Sequence, residues 1–140
     1  MKPTICGKSG SLLYAERKVA DGLNPTVRRH FTLIMTRLNS HLKTSRLALC
    51  APPSERWLTI RASPRKAVIA FIDEADGRLR FDIDTYADND IIDQRKLLQF
   101  IPDAGKPNKR HVGYISPETP DDVVGYFIEK MLEGMRKFDQ

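Results

Sequence analysis

Apolar residues recur along this chain with two different periods, and the changes between them mark out its elements. Between residues 24 and 44, Val27, Phe31, Ile34, Leu38 and Leu42 return every three or four positions, the spacing that lines one face of an α-helix. Asn24 stands ahead of them as an N-cap, and Pro25 sits at the first helical position, where a missing N–H costs nothing. Arg28, Arg29, Arg37 and Lys43 fall largely off the apolar stripe, so the wet side of this helix is basic.

After the two prolines of a loop at 51–56 the period shortens to two. Leu58 and Ile60 alternate with Trp57, Thr59 and Arg61, which predicts a strand, and a turn follows at 63–65. The run from Val68 to Asp73 is apolar enough for a central strand. Asp76-Gly77 fits a hairpin turn, because glycine accepts the positive φ such turns need. Beyond it Leu79, Phe81 and Ile83 face one way while Arg78, Arg80, Asp82 and Asp84 face the other, so one side of this strand is expected to be wet. "HVGYI" at 111–115 predicts a fourth strand. The closing segment predicts a helix capped by Thr119 and opened by Pro120, with Asp121 and Asp122 at the positive end of its dipole. Its apolar face is Val124, Phe127, Ile128, Met131, Met135 and Phe138. Gly125 and Gly134 interrupt it at about 1 kcal/mol each, which predicts close packing on the sheet. Shorter helices are expected from Ser11 to Gly22 and around Ile91, Ile92, Arg95 and Leu98, and loops at 1–10 and 101–110.

This order predicts an α+β fold: an antiparallel sheet of three to four strands with helices packed on one face. Residues 1–24 are expected to form an N-terminal arm with a short helix, and residues 25–140 a single α+β domain. The other face of the sheet would be partly open, lined by Arg78, Arg80, Asp82 and Asp84.

Charge adds a second pattern. Residues 1–66 hold thirteen bases against three acids, a net of +10, while the remainder holds ten bases against fifteen acids, a net of −5. A basic half attracts polyanions, of which nucleic acid is the commonest in a cytoplasm. The alternative is that the two halves fold together and partly cancel. No apolar run approaches the ~18 residues that span a membrane, and the N-terminus has no apolar signal-type region, so a cytoplasmic protein without a membrane partner is expected. Cys6 and Cys50 are too few for a disulfide framework or a zinc site and read as two free thiols, Cys50 buried and Cys6 exposed.

Candidate chemistry is sparse. "CGKSG" at 6–10 ends like a phosphate-binding loop, but Lys2 stands where the first glycine belongs and no strand can precede it. It reads as an N-terminal turn. Asp82, Asp84, Asp88 and Asp90 gather carboxylates of the kind that hold Mg²⁺, and Asp82 and Asp84 lie about 7 Å apart on one strand face. Yet the acid-x-lysine of a nuclease core and the spacing of a calcium loop are both missing. Solvation of the strand, or pairing with Arg78 and Arg80, is the simpler reading. His30 and His41 are about 16 Å apart along a helix and cannot share a metal. No catalytic residue, metal site or cofactor is expected.

The span from Arg56 to Phe138, with "AVIAFID", "LRFDID" and "HVGYISPETPDDVVGYFIEKM", resembles a group of uncharacterised small prokaryotic α/β domains, some attached to restriction- or defence-type proteins. The resemblance implies a recognition or accessory module and carries no site residue with it. The expected function is a non-enzymatic module that binds nucleic acid or a nucleoprotein complex. Arg28, Arg29, Arg37 and Lys43 would touch phosphates, with Arg65 and Lys66 in support, and Trp57, Tyr86 and Tyr114 are candidates for base stacking. The first alternative is a protein-interaction module, an inhibitor or adaptor of a larger enzyme, using the acidic 73–90 region or the open sheet face. The last is a metal-dependent phosphoryl-transfer enzyme built on Asp82 and Asp84.

Overall fold

The apolar stripe from Val27 to Leu42 forms a helix, Pro25–Leu42, and Asn24 caps it as its position predicts, its side chain accepting from the Thr26 N–H at 2.9 Å. The computed structural model describes residues 5–7, 13–51, 57–86, 90–102 and 109–139. In chain order the elements are β1 (Ile5–Gly7), α1 (Leu13–Asp21), α2 (Pro25–Leu42), β2 (Ala48–Ala51), β3 (Leu58–Ser63) and β4 (Lys66–Asp73). They continue with β5 (Leu79–Thr85), β6 (Gln99–Pro102), β7 (Lys109–Ile115) and α3 (Asp121–Phe138).

The fold is α+β, as expected, but among the described residues its sheet has seven strands rather than three or four, in the order β1-β2-β3-β4-β5-β7-β6 with every pair antiparallel. The additional strands β1, β2 and β6 have three or four residues each, too few to establish a period of two. The β4–β5 hairpin closes through Ala75, Asp76 and Gly77. The Gly77 N–H bonds Glu74 O at 3.0 Å, and Gly77 takes φ = 84°, the left-handed residue such a loop requires. Its carbonyl accepts the Asn24 N–H at 2.9 Å, which ties the hairpin to the start of α2.

The helices α1, α2 and α3 lie on one side of the sheet. Ile60, Ile69, Phe71, Leu79, Phe81 and Ile83 point into them and are fully buried. Phe31 of α2 meets Phe71 edge-on, and Phe127 of α3 meets Phe81 at 4.9 Å. Gly134 packs toward Ile83 as predicted, whereas nothing stands within 4 Å of where a side chain on Gly125 would begin. The α2 and α3 helices run parallel: Arg37 pairs with Glu129 midway, and His41 with Asp139 at the C-terminal ends. Asp139 closes this seam, accepting from His41 Nε2 at 2.7 Å, Ser45 Oγ at 2.8 Å and the Arg46 N–H at 3.2 Å.

Four local expectations are corrected. Thr119 does not cap α3. Its hydroxyl accepts the Ser116 N–H at 2.9 Å and closes a turn ahead of the helix, leaving Pro120 at the N-cap without a side-chain bond. Residues 91–98 are not helical, because side chains take their backbone groups instead. Asp93 accepts the N–H groups of Leu97 and Leu98, Glu133 that of Ile92, and Lys130 donates to Ile92 O. Cys6 and Cys50 are not free thiols. The register of β1 on β2 sets them directly opposite each other, and they form a disulfide with Cys6 exposed and Cys50 buried. Within the 1–10 loop expectation, Ile5–Gly7 is a strand, and Lys8, Ser9 and Gly10 of "CGKSG" lie outside the described residues, as do Asp88 and residues 52–56 and 103–108.

Candidate nucleic-acid interface

The six cations expected to meet phosphates are not brought together. Arg28 is exposed and lies back along the surface toward α1, its Nε donating to Ala20 O at 3.0 Å at the end of that helix. Arg29 is exposed in a groove between the N-terminal ends of α2 and α3, with His30, Pro117 and Asp121. Arg37 is engaged with Glu129 at 3.1 Å. Lys43 is exposed at the C-cap of α2, at the far end of that helix from Arg29. Arg65 is exposed in the turn between β3 and β4. Lys66 lies over the rings of Tyr86 and Phe138, at 4.7 and 5.1 Å from their centroids. A register shift between Arg61 and Ser63 separates it from the strand alternation that precedes it.

The sheet does bring cations together on its other side. Residues directly opposite on neighbouring strands share a face, so the pairings Thr59–Ala70–Asp82–Val112 and Ile72–Arg80–Tyr114 define a surface pointing away from the helices. Trp57 precedes Leu58 at the end of the second row, and Arg61 and Arg110 extend the surface along β3 and β7. The alternation of β5 puts Arg78, Arg80, Asp82 and Asp84 here, as the sequence predicts. No helix of the described residues covers this face.

Its chemistry is layered. Asp82 is buried, and Arg80 grips it through Nε and Nη2 at 3.0 and 3.2 Å, with Arg110 Nη1 at 3.8 Å on the other side. The side chains of Arg80 and Arg110 are 26% and 38% exposed against 7% for Asp82, so a ligand meets guanidinium before carboxylate. The hydrogen bonds Arg80 donates to Asp82 raise its pKa further, against the lowering effect of burial. Two arginines also lie against rings: Arg78 at 4.8 Å over Tyr114, which is exposed, and Arg80 at 5.4 Å over Trp57, which is half-buried. Such pairs present flat cationic and aromatic surfaces side by side.

The other candidates resolve differently. Tyr86 meets Phe138 edge-on and donates to Ala67 O, so it belongs to the helix side. Both oxygens of Asp82 are occupied by Arg80, which leaves that carboxylate poorly placed to join Asp84 around a cation. Among the described residues no group of three or more His, Cys, Asp or Glu side chains is arranged to hold a metal ion. His41 is engaged with Asp139. His111 is buried between β5 and β6 with its Nε2 unbonded and 3.8 Å from Asp90, and burial lowers its pKa despite the nearby acids Asp90 and Asp93.

Sequence reasoning missed Arg61 and Arg110 as members of this surface. The signal for Arg110 was present: Arg110, Val112 and Tyr114 alternate with His111, Gly113 and Ile115. No protein-family model, no curated protein and no solved structure matches this chain. No helix among the described residues is long and apolar enough to cross a membrane.

Proposed function

We propose that this protein is a small non-enzymatic module that binds single-stranded nucleic acid on the open face of its sheet. The observation that carries the reading is the layered arrangement of that face: Arg61, Arg78, Arg80 and Arg110 beside Trp57 and Tyr114, with Asp82 buried beneath two of the guanidiniums. An antiparallel sheet surface suits unpaired bases, which stack on rings and guanidinium planes while cations follow the phosphates. The resemblance to accessory domains of defence-type proteins accords with a recognition role and supplies no residue.

The test is fluorescence anisotropy with labelled single- and double-stranded DNA and RNA at about 50 and 200 mM salt, where phosphate-driven binding changes most. Binding should favour single strands and weaken with salt. Tyr114→Ala should cost about 1–3 kcal/mol of affinity, the usual loss for a stacking ring. Arg78→Gln should reduce the salt slope by roughly 0.7, while Arg29→Gln on the helix side leaves it unchanged. No binding to any of the four at low salt refutes the reading.

One observation favours a protein-interaction role instead. Strand β6 pairs with β7 alone among the described strands and leaves its outer edge open, with Phe100 on it and Leu97 beside it, both exposed. An open strand edge flanked by apolar side chains is a template for strand addition by a partner. A complex recovered by pull-down that survives nuclease treatment and is lost on Phe100→Lys would support this second reading.

A further inference from the structure

The cross-strand disulfide lines a cleft of about 430 Å³ at the β1–β2 end of the sheet, and Arg46 and Arg61 line that cleft with it. The rest of the lining is small and largely apolar, including Ala48 and Pro64. The two sulfur-bearing residues are unequal: Cys6 is exposed on the edge strand, and Cys50 is 1% exposed. Both arginines are held in place by neutral acceptors. Arg46 Nε donates to Phe138 O at 2.6 Å, and Arg61 donates through Nε to Thr59 Oγ1 at 3.0 Å and through Nη1 to Pro64 O at 3.1 Å. Arg61 pairs with no carboxylate among the described residues and stands as a fixed positive charge beside the bond, whereas Arg46, whose backbone N–H bonds Asp139 Oδ1 at 3.2 Å, has a carboxylate next to it.

Thiol–disulfide exchange needs a thiolate at an accessible sulfur and a leaving thiolate that is stabilised as it departs. Cations beside the bond serve both needs, and they raise the local concentration of an attacker that carries negative charge. We propose that Cys6 is an exchange site for a low-molecular-mass thiol bearing carboxylates. The incoming thiolate attacks Cys6 Sγ in line with the disulfide, a new S–S bond forms to Cys6, and the Cys6–Cys50 bond breaks with its electron pair going to Cys50 Sγ as thiolate. A second thiolate attacks the adduct, releases the symmetrical small disulfide and leaves Cys6 as thiolate, so the protein gains two electrons and the thiols lose two. Opening the bond leaves the three residues of β1 held to β2 by strand pairing alone.

The test uses the oxidised full chain at neutral pH with reduced glutathione, which carries two carboxylates, or 2-mercaptoethanol, which is neutral. Each rate is taken relative to that thiol's rate with a neutral small-molecule disulfide, and reactions are quenched with acid. Intact mass and peptide mapping locate the adduct. The expected result is glutathione on Cys6 with Cys50 open to alkylation. Relative to the neutral thiol, glutathione should react about fivefold faster at low salt, with the advantage vanishing at high salt and shrinking in Arg61→Gln. The salt series on the unsubstituted chain keeps the test independent of how Arg61→Gln folds. An adduct on Cys50, no adduct under native conditions, or equal relative rates for the two thiols at low salt overturns the proposal.

Discussion

Replacing Gly113 with alanine tests the packing of the sheet against α3 at a single atom. Gly113 lies directly opposite Phe81 in the β5–β7 pair, and the ring of Phe81 lies across it. A methyl at this position would stand 2.2 Å from Phe81 Cζ and 2.6 Å from Cε1. Carbon atoms pack best at about 3.5–4.0 Å, so the ring would have to retreat by roughly 1.3 Å or more. Behind it stands Phe127 with ring centroids 4.9 Å apart, and Phe81 is fully buried, so there is no space to retreat into. Overpacking of this kind costs about 1–3 kcal/mol, and the reduced freedom of alanine in the unfolded chain returns about 0.4–1. The expected net loss is about 1.3 kcal/mol. Gly125→Ala is the matched control. Its methyl would meet nothing within 4 Å in the interior of α3, so it should stabilise by about 1 kcal/mol. Urea unfolding of the two variants and the parent reads both numbers. Phe81→Leu should relieve the clash, so that Gly113→Ala costs at least about 1 kcal/mol less on that background. The reasoning is refuted if Gly113→Ala lies within about 0.5 kcal/mol of the parent, the noise of a neutral surface change, or if Gly125→Ala destabilises.

Two further outcomes follow from the polar groups that fasten the helices. Burial alone would raise the Asp139 carboxyl, but the bonds from Ser45, His41 and the Arg46 N–H outweigh it and hold its pKa below the ordinary range. A depressed carboxyl contributes stability that is fully present above its unfolded pKa and is lost as pH falls through its folded one. Asp139→Asn should therefore cost about 1–3 kcal/mol at neutral pH, and the gap from the parent should close on acidification, read by urea unfolding at a series of pH values. A gap that stays constant into acid would show that the carboxylate charge is not what the seam uses. Lys130 is buried on α3, and its ammonium is fully satisfied by Ile92 O at 2.7 Å and by Gln94 Oε1 and Glu133 Oε1, both at 2.9 Å. Lys130→Met keeps the aliphatic stem but strands those acceptors, with an expected loss of about 2 kcal/mol, less than for a fully buried pair because Glu133 is partly exposed. Amide exchange across residues 91–98 should quicken, and unchanged exchange there would mean that Lys130 does not pin that segment.

The elements legible in the sequence are those whose period persists long enough to select one buried side. The α2 stripe, the alternation of β5 and the α3 stripe each keep their phase over six residues or more, while β3 shows a short alternation and β4 an unbroken apolar run, and each of these elements forms. The strands β1, β2 and β6 are too short to carry a period, and their existence depends on partners distant in sequence: β1 needs β2, forty residues on, and β6 needs β7. Residues 91–98 carry helical spacing, yet Asp93, Lys130 and Glu133 claim their backbone groups from outside the local pattern. The open face was half legible. Alternation along β5 placed Arg78, Arg80, Asp82 and Asp84 on one side, but the arrival of Arg110 and Tyr114 beside them is a matter of register between β5 and β7, which no local pattern specifies. The disulfide was hidden for the same reason, because the opposition of Cys6 and Cys50 exists only once β1 has paired with β2.

Register also changes what the charge split means. The basic first half and the acidic second half meet along the seam of α2 and α3, where Arg37 faces Glu129 and His41 faces Asp139. Arg28 is used on carbonyl oxygens and Lys66 on aromatic rings. Much of the excess in the first half is therefore engaged in holding the fold. The cations that converge come from both halves, Arg61 from the first and Arg78, Arg80 and Arg110 from the second, and topology rather than composition selects them. The difference is measurable. Three or four phosphate contacts on a single strand give a slope of log affinity against log salt of about −2 to −3, whereas the thirteen cations of the first half acting together would give about −9. A slope of the smaller size, reduced by Arg78→Gln and untouched by Arg29→Gln, assigns the ligand to the sheet. A slope of the larger size would return it to the helices, and with it the view that net charge alone chooses the partner.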